Sequence, residues 1–291
     1  MAVLAATWGA SYLFIKVGLR DFSAPFLVFA RTALATLVLL PVALHRSALG
    51  ALRGHAGSIA LLAALQVAAP FLLITVGEQW IPSALTGILV ASAPIWTAAL
   101  AFTAYAPAER PSRVVLTGLG VGLVGVALLF GVDLGGSGLA VLGGLLVLLA
   151  GLGYALGGIE FKRRMAGVDP AAAAAATMAV SAILTLPAAL LTLPTSAGAD
   201  SVSALLALGI LGTGLAFLIF YGLIADVGPA RASLVAYLSP GFAVGYGVAV
   251  LGESVTAATF AGLALILGGS YLAAGGRLPA RRPAVVAPAR P

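Results

Sequence analysis

The chain of 291 residues contains no cysteine. Disulfides and thiolate metal sites are therefore excluded outright. Charge is scarce as well: Asp, Glu, Lys and Arg together make 8% of the sequence, where a soluble globular protein carries roughly 25%. A chain of this length with so few charges has no means of dressing its surface in water. Only two histidines occur, His45 and His55. They share one short connection and cannot complete a metal site between them. The basic residues, in a net charge of +6, are scattered singly rather than gathered on one face, which argues against nucleic acid as a partner. No cofactor motif stands either. Gly120-Val-Gly122-Leu-Val-Gly125 matches the dinucleotide pattern, but that motif needs a strand before it and a helix after it. Here it falls inside a long apolar run.

What the chain does have is apolar length. Hydrophobic residues make 62% of it, with a mean hydropathy of +1.14. Runs of about 20 apolar residues suffice to cross a bilayer, and ten such spans are expected: 2–20, 24–44, 57–77, 82–104, 112–131, 138–160, 170–192, 203–224, 230–250 and 256–275. A transmembrane β-barrel would show short alternating segments, and a continuous run such as 34–44 excludes it. Pro82, Pro170 and Pro229 fall near proposed helix starts, where a missing N–H costs nothing. The opening segment has no basic stretch before its apolar run, so it reads as a retained first helix rather than a cleaved signal. Residues 277–291 mix Arg, Pro and Ala and read as a disordered basic tail.

The chain also contains itself twice. Trp8 answers Tyr154, Lys16 answers Lys162, Pro41 answers Pro187 and Pro94 answers Pro240, all at an offset of 146 residues. After a two-residue slip, Glu109 answers Glu253, Gly118 answers Gly262 and Gly125 answers Gly269. Each copy carries five spans. Five is odd, so the second copy enters the membrane from the opposite side. The expected fold is an all-α polytopic membrane protein of ten transmembrane helices. They form two inverted five-helix repeats, 1–137 and 138–276, followed by the tail. Inverted repeats are an architecture of secondary transporters, with the substrate site between the halves near mid-membrane.

Loop charges give the orientation. Arg46, Arg53, Arg110, Arg113, Lys162, Arg163, Arg164, Arg231 and the tail lie on the side of the N-terminus. The opposite loops hold Arg20 but are otherwise acidic, with Asp21, Glu78, Asp133, Asp200 and Glu253. An excess of Lys and Arg in short loops marks the cytoplasm. Both termini are thus expected there, in a multi-pass cell-membrane protein. Small residues recur every four positions at Gly118/Gly122, Gly153/Gly157 and Gly241/Gly245. Such stripes let helix backbones approach closely, within the chain or across a homodimer.

These motifs resemble the drug/metabolite transporter superfamily in its ten-helix EamA-type exporter branch. The first copy carries Trp8-Gly9 and Lys16 in span one, then Pro25, Arg31 and Pro41 in span two. The second reads GPARASLVAYLSPGFAVGYGVAVLGESVTAATFAGLALILGG over 228–269: a proline-containing ninth helix, a Gly-Glu turn and a glycine-rich tenth helix. The resemblance covers nearly the whole chain. The first copy departs from it with Pro107-Ala108-Glu109 in place of Gly-Glu, and span six with Tyr154 and Glu160. The resemblance implies movement, usually outward, of a small polar metabolite such as an amino acid or related compound. It implies no ATP, and either coupling to protons or simple facilitated exchange.

Among the charges, Arg31 lies roughly 10 Å into span two at 1.5 Å per residue. It binds a substrate carboxylate or pairs with Asp21 or Glu78. Lys16 either snorkels to the interface or takes part in gating. Glu160 is a proton-coupling carboxylate or an interface partner of Lys162, Arg163 and Arg164. Glu109 and Glu253 are placed to stabilise the N-termini of spans five and ten. Trp8 and Tyr154, with Gln66, Ser92, Tyr221 and Tyr237, offer the aromatic faces and few polar groups that a small-molecule pocket requires. Pro70, Pro94 and Pro240 fall inside spans, where each removes a helix hydrogen bond and marks a kink or hinge. Two rivals remain at this point. A membrane enzyme acting on a lipid-linked substrate would need clustered acids or metal ligands, and a non-transporting partner subunit would usually carry a soluble domain. Neither feature is present.

Overall fold

The computed structural model describes residues 1–100, 112–134, 137–227 and 235–273, and their regular structure is entirely helical. Helix α1 is Ala2–Gly18, α2 is Ala24–His45, α3 is Ala56–Gly77, α4 is Ser83–Leu100 and α5 is Arg113–Val132. Helix α6 is Gly138–Arg164, α7 is Pro170–Leu190, α8 covers 199–227, α9 is Val235–Leu251 and α10 is Ala257–Ala273. Seven of these stretches are long and apolar enough to cross a membrane, and α1, α9 and α10 are shorter apolar helices. Glu109, Arg110, Pro229, Arg231 and the tail lie outside the described residues.

Helix starts follow local chemistry. Ser23 Oγ accepts the Phe26 N–H, and Asp169 accepts the N–H groups of Ala171 and Ala172 at 2.9 and 3.0 Å. Both satisfy donors that have no partner inside the helix. Helix α4 is broken at Ala91–Ser92, just before Pro94. Its loosened carbonyls find other donors: Ser92 Oγ bonds Leu89 O at 2.6 Å, and Ser270 Oγ of α10 reaches Ala91 O at 3.1 Å. Pro240, the repeat equivalent of Pro94, stays inside a continuous α9. Helices α3 and α8 contain π-helical segments, Ala63–Ala68 and Ala207–Leu215. They overlap at the 146-residue offset, so the local widening occurs at the same level of both copies.

Packing runs between equivalent elements: α5 lies along α10, and α2 along α7. Likewise α1 packs on α9 as α6 packs on α4. The close contacts use small residues. A Cβ at Gly77 would stand 2.6 Å from Gly143 O, and one at Gly125 would stand 3.0 Å from Gly262 O. Ala171 to Ala175 are all buried on α7. Large apolar residues such as Leu37 and Ile183 point outward, the arrangement lipid demands, since apolar burial gives little drive between helices there. The Gly118/Gly122 and Gly153/Gly157 stripes lie in such contacts. Gly241 and Gly245 meet nothing within 4 Å among the described residues, so the expected third seam is not made between them.

At one end of the bundle the acidic loops are tied together. Asp21 accepts the Gly198 N–H, Asp133 accepts the hydroxyls of Thr256 and Thr259, and Lys16 Nζ donates to Glu78 O and Ile81 O at 2.6 and 2.9 Å. Glu253 corrects an expectation. It caps α4 rather than α10, its carboxylate accepting Ser83 N at 2.7 Å, Ala84 N at 3.0 Å and the Ser83 hydroxyl at 3.1 Å. The preceding Gly252, at φ +67°, ends α9 in the left-handed conformation, and Glu253 N bonds back to Gly247 O at 3.0 Å. A left-handed residue closing a helix favours glycine, and this ending turns the acid toward its target. Glu253→Ala should cost about 0.5–2 kcal/mol, as loss of a cap does. A melting temperature in detergent lower than wild type by a few degrees would register it.

Candidate functional site

Between α1, α2, α3, α4, α6, α8 and α9 lies a cavity of about 310 Å³. This is the small end of the roughly 300–1,000 Å³ range of small-molecule pockets. Its frame is built from pairs of repeat equivalents. Trp8 stands with Tyr154, Phe71 with Phe217, Ile74 with Phe220, Val90 with Ala236 and Ala93 with Ser239, each pair at the same 146-residue offset. Trp8 packs edge-on to Phe217 at 6.4 Å between ring centroids and lies tilted on Phe220 at 5.2 Å. The walls are therefore mostly aromatic and aliphatic.

The polar lining breaks the symmetry. Ser11, Tyr12, Arg31 and Gln66 line the cavity, while their equivalents are Gly157, Gly158, Thr177 and Gly212. The glycines have a reciprocal use. A Cβ on Gly212 would stand 2.8 Å from Ser11 Oγ, and one on Gly157 would stand 2.6 Å from Gln66 Cβ. In the two equivalent contacts one partner is bare, so the other can carry a polar side chain against it.

Arg31 is 7% exposed and 3.8 Å above the Phe71 ring centroid, a cation–π contact. Its Nε donates to Thr213 Oγ1 at 2.7 Å. Thr213 in turn donates to Leu208 O at 2.8 Å, five residues back, a carbonyl reached because α8 is π-helical there. Among the described residues Arg31 has no ion pair, so neither Asp21 nor Glu78 neutralises it. An unpaired charge in such a place is expensive. Among the described residues the guanidinium is held by one edge and one face, which leaves its two terminal amino groups for an anion.

Of the residues singled out in the sequence, Trp8, Tyr154, Arg31, Gln66 and Pro94 are on the cavity wall. Ser92 and Tyr237 are not: the Ser92 hydroxyl is committed to Leu89 at the break in α4. The Tyr221 side chain falls outside what is described, and Pro240 is buried within α9 away from the lining. Lys16 braces α1 against the 78–81 turn instead of reaching for solvent. Glu160 is buried at the other end of the bundle, paired with Arg164 Nε and with Arg163 Nη1 at 3.4 Å. Phe71, Phe217, Phe220, Tyr12 and Thr213 escaped the sequence reading. The offset that pairs 71 with 217 and 74 with 220 was the available signal.

Known proteins match nearly the whole of this chain. The EamA-like transporter family profile matches residues 1–131 and 141–275. The inner membrane transporter YedA of Escherichia coli is 28% identical over 272 residues, covering 89% of this chain and 84% of that protein. A protein named as a probable amino-acid metabolite efflux pump of Salmonella typhimurium is 27% identical over 283 residues, covering 93% and 92%. The transporter YoaV of Bacillus subtilis is 25% identical, covering 91% and 92%. A protein crystal structure shares the fold, with a TM-score of 0.65 and 21% identity over 93% of each chain. An all-helical membrane bundle, a central cavity and a family profile over nearly every residue agree: this is a membrane transporter, and the chain belongs to the EamA-like transporter family.

Proposed function

We propose that this protein exports small carboxylate-bearing metabolites, of the amino-acid class, by alternating access and without ATP. Two inverted halves, 1–137 and 138–276, would rock about the cavity, with both termini in the cytoplasm and the acidic loops outside. The carrying observation is Arg31: a buried guanidinium without an ion pair among the described residues, in a mostly apolar chamber of metabolite size. A carboxylate would supply the missing anion in a charge-assisted, bidentate geometry, while Trp8 and Tyr154 hold the body of the solute. The name of the Salmonella relative supports the amino-acid class, and the excess of Lys and Arg in the loops at the other end supports the orientation.

Liposomes containing the purified chain, loaded with a panel of radiolabelled amino acids, test this directly. Wild-type protein should release at least one of them faster than empty vesicles do, with no nucleotide present. The Trp8→Ala/Tyr154→Ala double variant should lose that flux while still purifying as a folded species. Release no faster than from empty vesicles across the panel would overturn the reading.

A further inference from the structure

One acidic side chain is left unexplained by the cavity. Glu78 follows the last residue of α3, and its side chain is 0% exposed. Neither of its carboxylate oxygens has a hydrogen-bond partner among the described residues, and no cation stands within ion-pair distance. An ionised carboxylate so placed costs several kcal/mol. The neutral acid costs far less, because only its hydrogen bonds are unmade. Its repeat equivalent is Ile224, so the frame of the bundle does not require an acid here.

Its surroundings are specific. Ile74 lines the cavity, and Glu78 lies one helical turn further along the same face. Tyr12 also lines the cavity, and Lys16 lies one turn beyond it on α1. The acid and the lysine thus form the layer that closes the cavity at its acidic-loop end. Lys16 spends its ammonium on the backbone carbonyls of Glu78 and Ile81, not on the carboxylate. The other ionisable groups facing Glu78 are Arg31 of α2, Tyr12 of α1 and Glu253, which caps α4. Burial pushes the Glu78 carboxyl well above the usual carboxylate range; Lys16 draws it down, Glu253 pushes it further up and Arg31 opposes. The Thr75 hydroxyl, one turn back along α3, is likewise buried without a partner among the described residues.

We propose that Glu78 is a proton-binding site at the gate: a neutral acid while this end is closed, exchanging its proton with water when the Lys16 clamp opens. Separating α1 from the 78–81 turn breaks both Lys16 bonds and lets water reach the carboxyl. The acid can then give its proton to that water, and its carboxylate and the freed ammonium stabilise each other. Closing strips the water away and requires the carboxylate to take one proton from it first. Closure and protonation are thereby linked, so the pH at this end governs how readily the gate closes. The transport half of this inference rests on the export reading above; the titration half does not.

The test has two arms on the full chain in lipid vesicles. In infrared titration, wild type should show a protonated carboxyl band that persists through neutral pH and disappears at higher pH. Glu78→Gln should lack that band. Glu253→Gln, which removes the neighbouring negative charge, should move its midpoint to lower pH and keeps the test decisive if Glu78→Gln fails to assemble. A band unchanged in Glu78→Gln, or no carboxyl titrating above the ordinary range, overturns the proposal. In the flux arm, exchange of an amino acid that wild type moves should slow as the pH at the acidic-loop end rises above the infrared midpoint. Glu78→Gln should retain exchange and lose that pH dependence. Wild-type exchange indifferent to that pH overturns the link between closure and protonation, whereas wild type that moves no amino acid overturns the export reading and leaves the titration to decide on Glu78.

Discussion

Arg31→Ala should raise the KM for a transported amino acid by about 10- to 150-fold, the equivalent of the roughly 1.5–3 kcal/mol that a hydrogen bond to a charged group contributes. The expectation rests on what the guanidinium lacks. Thr213 takes Nε and Phe71 takes one face, and neither supplies the negative charge that a buried cation needs. Arg31→Lys should fall between wild type and alanine, because it keeps the charge and loses the planar fork. The corresponding amine, with the carboxylate removed, separates the two roles Arg31 could have. If Arg31 binds the carboxylate, the amine should compete weakly with the amino acid in wild type and no worse in Arg31→Ala. If Arg31 only braces α2 against α8, the alanine variant should lose both solutes alike and melt at a lower temperature. Initial rates of counterflow in liposomes, with thermal melts of the same preparations, distinguish these outcomes.

How much of this was legible in the sequence follows from what each feature depends on. The helices were, because a span is set by apolar length and by punctuation at residues such as Pro170 and Ser23. The boundaries moved where polar groups found partners. Helix α8 starts at Ala199 rather than 203 because Asp200 suits a first turn, and α6 runs to Arg164 because Glu160 pairs with the arginines one turn later. The cavity frame was half legible: duplication pointed to Trp8 and Tyr154 but, read residue by residue, it also gives Phe71/Phe217 and Ile74/Phe220. What no single-chain pattern contains is which helices cross-pack. Glu253 is adjacent to α10 in sequence and to the start of α4 in space. Glu78 looked like a surface loop acid, because burial at the end of a span is decided by neighbours from α1 and α2. The reciprocal glycines, Gly157 beneath Gln66 and Gly212 beneath Ser11, are visible in the sequence only after that packing is known.

The largest structural effect should come from Gly125→Leu, which ought to prevent α5 and α10 from docking and leave little folded protein. A Cβ at Gly125 would already lie 2.8 Å from Leu265 Cβ and 3.0 Å from both Gly262 O and Ile266 N. Two of those three neighbours are backbone atoms, which cannot turn aside as a side-chain tip can. Overpacking in a well-packed core costs about 1–3 kcal/mol where side chains can adjust, and here three further carbons must follow the first into helix backbone. Nothing in lipid offsets the loss, since the seam is held by close van der Waals contact rather than by apolar burial. The same helix supplies the control: Gly120 has nothing within 4 Å of its Cβ position, so Gly120→Leu adds a lipid-facing side chain and should leave yield and melting temperature near wild type. Equal loss of monodisperse protein on size-exclusion chromatography for both variants would mean that added bulk anywhere on α5 is harmful. Loss confined to Gly125→Leu would place the fault in the seam that joins the last helix of one copy to the last helix of the other.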